Sequence, residues 1–138
     1  MIVLDTNVLS ELLRAAPDAR VLAWVEAQPA DLLFTTAITQ GEMLYGVHRL
    51  PPGVRRERLY RDIEAIFSTD MAGRVLAYDG DAAAAHAAIA AERQAMGRPV
   101  SQSDAMIAGI VRAHGARLAT RNVRDFEACG IALIDPWH

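Results

Sequence analysis

Lysine is absent from this chain of 138 residues, cysteine occurs once, and aromatic residues make up only 6%. Each shortage excludes something. With a single cysteine, Cys129, no intrachain disulfide can form, so the fold rests on its core. A lone thiol suits a reducing cytosol, and a cytoplasmic location is expected. Cys129 itself is expected to pack as a small hydrophobe near a strand. The longest apolar stretches are Ala-rich and too short to span a bilayer, so no membrane partner is expected. The opening Met-Ile-Val-Leu-Asp has no basic leader, and no secretory signal is expected. His48, His86, His114 and His138 lack the paired spacing of a zinc site. There is no Gly-rich phosphate loop, nucleophile elbow or Cys-x-x-Cys pair. Net positive charge is missing too. The balance is −3, which argues against nucleic-acid binding through a broad basic face. It leaves room for an acidic centre that recruits divalent cations, because a metal inverts the local charge.

What remains is the composition of a globular protein, 52% hydrophobic and 22% charged. The length fits one domain over residues 1–138. Every one of the 14 basic residues is arginine, for which a biased composition is the simplest account. Arg55, Arg56, Arg58 and Arg61 could meet phosphates, but Glu57, Asp62 and Glu64 among them favour a solvated face.

Hydrophobic runs alternate with helical patterns, the signature of βα units around a parallel sheet. Ile2 to Leu4 suit a fully buried central strand. Asp5-Thr6-Asn7 can cap a helix over Val8 to Leu13, and Pro17-Asp18 starts a second helix. Leu32 to Thr36 form the next strand, followed by a helix from about Ile38 to His48 that stops before Pro51-Pro52-Gly53. An amphipathic helix over Val54 to Phe67 turns Leu59, Ile63, Ile66 and Phe67 inward. A short strand at Val75 to Ala77 precedes a long Ala-rich helix that begins near Asp79 and ends near Gly97. Ser101 or Ser103 caps a helix from about Asp104 to His114, which Gly115 terminates. Ala116 to Thr120 and Ile131 to Ile134 are the last strands. The fold class is α/β: a three-layer α/β/α sandwich around a central, mainly parallel sheet of four or five strands.

In such sheets ligands bind at the carboxyl ends of the strands, where strand order reverses. Asp5 directly follows the first strand. Glu42 lies near the second turn of the helix after the second strand. Asp104 opens a helix behind Ser-Gln-Ser. Asn122 and Asp125 follow the strand that ends at Thr120. Four separate elements can therefore deliver oxygen-bearing side chains to one edge. Several carboxylates in one apolar-walled cleft repel each other, and a hard divalent cation removes that conflict. Such an ion can lower a water's pKa and orient a phosphodiester. Each residue also has a plainer role. Asp5 could be only an N-cap, Asp104 only a first-turn acid favoured by the helix dipole, Glu42 a solvated helix residue and Asp125 a loop charge. The case rests on their joint placement. Glu11, under two turns from Asp5, is left open between site and surface.

Four segments carry a family resemblance: Ile-Val-Leu-Asp-Thr-Asn at the start, Thr-Thr-Ala-Ile-Thr-Gln-Gly-Glu-Met-Leu-Tyr-Gly from Thr35, Ser-Asp-Ala-Met-Ile-Ala from Ser103, and Leu-Ala-Thr-Arg-Asn-Val-Arg-Asp-Phe from Leu118. In order and spacing they resemble PIN-domain proteins, and among them the VapC-type toxins of bacterial toxin–antitoxin pairs. The resemblance implies an endoribonuclease that uses Mg²⁺ or Mn²⁺. It implies an acidic core of Asp5, Glu42 and Asp104, with Asp5 and Asp104 as direct metal ligands. Thr6 and Asn7 match the residues that fix Asp5, and Thr120 matches a polar residue beside the metal. Many members carry a fourth acid where this chain has Asn122, which leaves a second metal in doubt. Asp125, three residues on, either supplies the missing charge as a further ligand or only caps the following turn. The resemblance also implies an RNA substrate, a homodimer and a cognate antitoxin whose tail enters the active-site groove. Two alternatives stand beside it. One is a non-catalytic module of the same fold that only engages an antitoxin-like partner. The other is an aspartyl phosphotransferase with Asp5 as nucleophile, which Asn7 in place of a second Asp and the absence of lysine disfavour.

Overall fold

The computed structural model describes residues 1–138, and its centre is a sheet of five short strands. They are β1 (Ile2–Leu4), β2 (Leu33–Thr36), β3 (Val75–Leu76), β4 (Arg117–Ala119) and β5 (Ala132–Ile134). All pairings are parallel, in the order β3-β2-β1-β4-β5. The expected sheet was mainly parallel; it is wholly so. The chain winds outward from β1 to β3 on one side and resumes on the other with β4. The order therefore reverses between β1 and β4, which is where a ligand crevice opens in such sheets.

The sequence of β1 explains the layers. Its side chains alternate, so Ile2 and Leu4 face one way and Val3 the other. Ile2 and Leu4 join a core with Val8, Val21, Met43, Val47, Ile63 and Phe67. Val3 joins a second core with Ile89, Ile107, Val111, Leu118, Phe126 and Cys129. Helices α1 (Thr6–Leu12), α2 (Ala19–Ala27), α3 (Ala37–His48) and α4 (Val54–Ala65) supply the first core, and α5 (Gly80–Ala95) and α6 (Gln102–Ala113) the second. The result is the three-layer α/β/α sandwich. Burying each such aliphatic side chain stabilises the fold by about 1.5–3 kcal/mol. Cys129 is buried among them as a small hydrophobe, and it is free.

The expected boundaries shift by a residue or two. Leu32 belongs to a 3₁₀ turn over Ala30–Leu32 and is exposed, so β2 begins one residue later. Asp18 caps α2, which starts at Ala19. The helix expected over Val54 to Phe67 is regular only to Ala65, then widens into a π turn over Ile66–Asp70. The wider turn lets Phe67 and Met71 both reach the core, with the Met71 amide donating to the Ile66 carbonyl at 2.7 Å. Helix α6 begins two residues before Asp104, capped by Ser101, and Gly115 follows its end with φ 61°. Within α6, a Cβ on Gly109 would lie 2.6 Å from the Ala82 carbonyl oxygen of α5. Only glycine permits that approach, which sets how closely α6, and Asp104 on it, packs onto α5.

Candidate active site

Asp5 occupies the reversal point. Its amide donates to the Ala119 carbonyl at 2.9 Å, fastening the end of β1 to the end of β4. One carboxylate oxygen caps α1 by accepting from the Thr6 amide at 2.8 Å. The other accepts from the Thr120 hydroxyl at 2.8 Å and from the Asn7 amide nitrogen at 3.4 Å. Thr120, fully buried, also accepts from the Asn122 backbone amide at 3.0 Å and from Asn7 at 3.3 Å. Asn7 in turn accepts from the Arg121 amide at 3.2 Å. A short-side-chain network thus locks the two strand ends together around one carboxyl group. The N-cap reading of Asp5 holds for one oxygen, and the other is held by Thr120 and Asn7.

Asp5 is only 4% exposed. Burial pushes its carboxyl up from 3.8 to about 6. The Thr120 hydroxyl and Thr6 amide pull it down, while the negative charges of Asp104 and Glu42 push it up. Asp104, half-buried in the first turn of α6, is also raised. Burial is the main cause; the Ser101 hydroxyl opposes it, Asp125 and Glu42 add to it, and Arg93 opposes it. Asp104 and Glu42 thus bear on Asp5, and Asp125 and Glu42 bear on Asp104. That mutual repulsion is the conflict expected from the sequence.

The remaining residues form a rim. Glu42 is exposed on α3 and accepts from the Thr6 hydroxyl at 2.9 Å. Asn122 precedes a 3₁₀ turn over Val123–Phe126 and is exposed. Asp125 is exposed within that turn; its amide donates to the Asn122 carbonyl at 3.0 Å, and its carboxylate caps nothing. It therefore does not cap the turn, and its negative charge is one of the causes that raise the Asp104 carboxyl. Glu11 turns away: buried, it accepts from Arg14 at 3.1 Å and from the Asp18 amide at 3.1 Å, closing the α1–α2 junction.

Three participants escaped the sequence reading. Thr39, fully buried, donates its hydroxyl to Thr6 at 3.1 Å, leaving the Thr6 proton for Glu42, and Thr36 caps α3 by accepting from the Thr39 amide. Their place in the Thr-Thr-Ala-Ile-Thr run, directly after a strand, was the available signal. Arg93 is buried behind the rim and gave no signal, since its neighbours Glu92 and Gln94 are ordinary helix-surface residues.

No three acidic, histidine or cysteine side chains converge into a ready-made cage for an ion. The donor set nevertheless fits a hard cation. It is all oxygen, it holds excess negative charge, and Mg²⁺ characteristically takes one or two carboxylates and completes its shell with water. From Thr6 and Glu42 a groove of about 420 Å³ runs between α1, α3 and α4, with Arg14 and Arg55 on its walls.

A family model, the PIN domain, matches residues 2–130. The chain belongs to the PIN domain family. Within this family it is similar to VapC ribonuclease Y4jK of Sinorhizobium fredii, 42% identical over 137 residues that cover 99% of this chain and 98% of that protein. It is 36% identical to Toxin FitB of Neisseria gonorrhoeae over 138 residues, covering 100% and 99% of the two chains. The solved structure of FitAcB from Neisseria gonorrhoeae superposes with a TM-score of 0.93 at 36% identity, covering 100% of this chain and 99% of that one. DNA-bound VapBC from Salmonella typhimurium superposes with a TM-score of 0.82 at 28% identity, covering 98% and 97%. The PIN fold and the VapC-type kinship expected from the four segments are thereby established.

Proposed function

We propose that this PIN domain is an Mg²⁺- or Mn²⁺-dependent endoribonuclease, the toxin of a type II toxin–antitoxin pair. The observation that carries the reading is Asp5: a buried carboxyl at the sheet's reversal point, raised to about 6 beside Asp104 and Glu42, in a chain related to VapC ribonuclease. Asp5 and Asp104 would hold the ion, with Glu42 and Asp125 at its rim and Asn122 as a further candidate on the same loop. A divalent ion there would neutralise the acids, orient a phosphodiester and lower the pKa of water. The chain's own residues do the rest. Thr120 and Asn7 hold the Asp5 carboxylate in one orientation. Thr6 holds Glu42 through Oε1, which leaves Oε2 to accept a proton from water. Arg14 and Arg55 give the RNA backbone phosphate contacts along the groove that opens from the site.

The same reading includes a cognate antitoxin, whose tail would enter the groove with an arginine for the carboxylates, a homodimer and a cytoplasmic location. No helix is long and apolar enough to cross a membrane. Purified protein should cut RNA with Mg²⁺ and stop with EDTA, and D5N and D104N should be inactive. Wild-type cleavage rates in both variants would refute the assignment. The neutral Asn122 favours a second reading, a non-catalytic module that engages an antitoxin. Thermal melts decide: millimolar Mn²⁺ raises the melting temperature of a metal enzyme by mass action and leaves a pure binding module unmoved.

A further inference from the structure

Arg93 is the one arginine buried almost completely, at 4% exposure. It lies in the last turn of α5, and none of its partners is charged. Nε donates to the Arg98 carbonyl at 2.7 Å. Nη1 donates to the Asp125 carbonyl at 3.0 Å and the Glu127 carbonyl at 2.8 Å, and meets Cys129 Sγ at 3.5 Å. No ion pair includes it. A buried charge held only by neutral acceptors is costly, so its position calls for a reason.

The reason is in what those carbonyls belong to. Arg98 sits in the connection that leads to Ser101 and Asp104. Asp125 and Glu127 belong to the segment that follows Asn122. One guanidinium fork therefore ties together the two stretches of chain that carry Asp104 and Asp125. The second stretch is under strain. Ala128, between Glu127 and Cys129, has φ 60°, a left-handed conformation that a residue with a Cβ adopts at a penalty. Strain of that kind persists where the surroundings over-determine the backbone, and Arg93 grips the residues on both sides of Ala128.

We propose that Arg93 is a positioning residue for the acidic rim: by clamping the Asp125–Cys129 segment to the connection before α6, it sets Asp125 against Asp104 and so completes the cation site. The inference rests on the metal-dependent reading above. Hydrogen bonds that orient a site's ligands from behind change metal affinity by about 10–100-fold when removed.

The test is a Mn²⁺ titration by calorimetry on folded wild type, R93M, D125N and the double variant. Mn²⁺ affinity should fall about tenfold or more in R93M and similarly in D125N. The double variant should fall no further than D125N: apart from Asp125, Arg93 bears on the site only through its positive charge near Asp104, whose removal does not weaken cation binding. R93K, which keeps the charge and loses the planar fork, should fall between wild type and R93M, and it replaces R93M in the cycle if R93M does not fold. Unchanged Mn²⁺ affinity in R93M or R93K with a lowered melting temperature would make the arginine a stability clamp only and overturn the proposal. So would fully additive losses in the double variant. A wild type that binds no Mn²⁺ removes the metal reading and this proposal together, whereas wild-type binding with unaltered Arg93 variants removes this proposal alone.

Discussion

Asp5 and Glu42 put carboxylates into the same cleft, yet the fold treats them in opposite ways. Asp5 is sealed between two strand ends and meets three donors, from Thr6, Asn7 and Thr120. Glu42 stands in solvent on α3 and meets one, from Thr6. The first is oriented before any ligand arrives, at the expense of a carboxyl whose charge is disfavoured. The second is open to water and held by a single hydrogen bond. The two acids thus form a rigid wall and an exposed rim, and on the proposed reading the wall would hold the cation.

Removing the wall should have the largest effect. D5N and D104N should each lower RNA cleavage by about a thousandfold or more, measured with saturating Mg²⁺ on a labelled RNA. E42Q, at the rim, should lower it by less. Equal losses at all three positions would erase the distinction between wall and rim.

Stability should move the other way. The Asp5 carboxyl holds its proton more tightly folded, at about 6, than free, at 3.8, so between those values the native state binds more protons than the unfolded one. Stability of the metal-free protein therefore falls as pH rises through that window, and the loss levels off above about 6 at roughly 3 kcal/mol. Chemical denaturation at pH 5 and pH 8 should show a little under half of this decline, about 1.4 kcal/mol, and D5N should flatten most of it. The raised Asp104 carboxyl contributes a remainder of the same sign. A wild type equally stable at both values would mean that the wall carries no strain.

T120V probes the wall without touching a carboxylate. It deletes the hydroxyl that donates to Asp5 and accepts from Asn122. The metal-free protein should lose about 1–2 kcal/mol in urea unfolding, because the buried groups lose a partner. Cleavage should drop by about tenfold as Asp5 loosens. The smallest effect belongs to the rim: E42Q should change unfolding free energy by under about 0.5 kcal/mol, as exposed substitutions do. A larger change would show that Glu42 is structurally engaged in a way its exposure denies.

How much of this could be read from the sequence depends on whether the cause was local. Ile2 to Leu4 was legible as a buried strand because nothing polar interrupts it. Asp5 was legible twice, as a cap and as an edge carboxylate, since both follow from its place after that strand. The start of α6 was misplaced by two residues because Ser101 and Ser103 are equally good caps, and only packing chose Ser101. The π turn at Ile66–Asp70 was invisible: its cause is the distant demand that Phe67 and Met71 both reach the core. Arg93 was invisible for the same reason, as no neighbour in sequence announces that α5 buries it. Asp125 was visible as a charge, but that it does not cap the following turn depends on a 3₁₀ geometry that only the fold defines.

The Thr120–Asp5 hydrogen bond spans 115 positions of the chain. A polypeptide half emerged from the ribosome already owns Asp5 and Glu42, yet lacks both the threonine that aims the first and the helix that brings Asp104. The two halves of this network lie at the end of β1 and just after β4, so it is assembled only when those strands pair. A chain cut before β4 therefore keeps Asp5 without the hydroxyl that aims it.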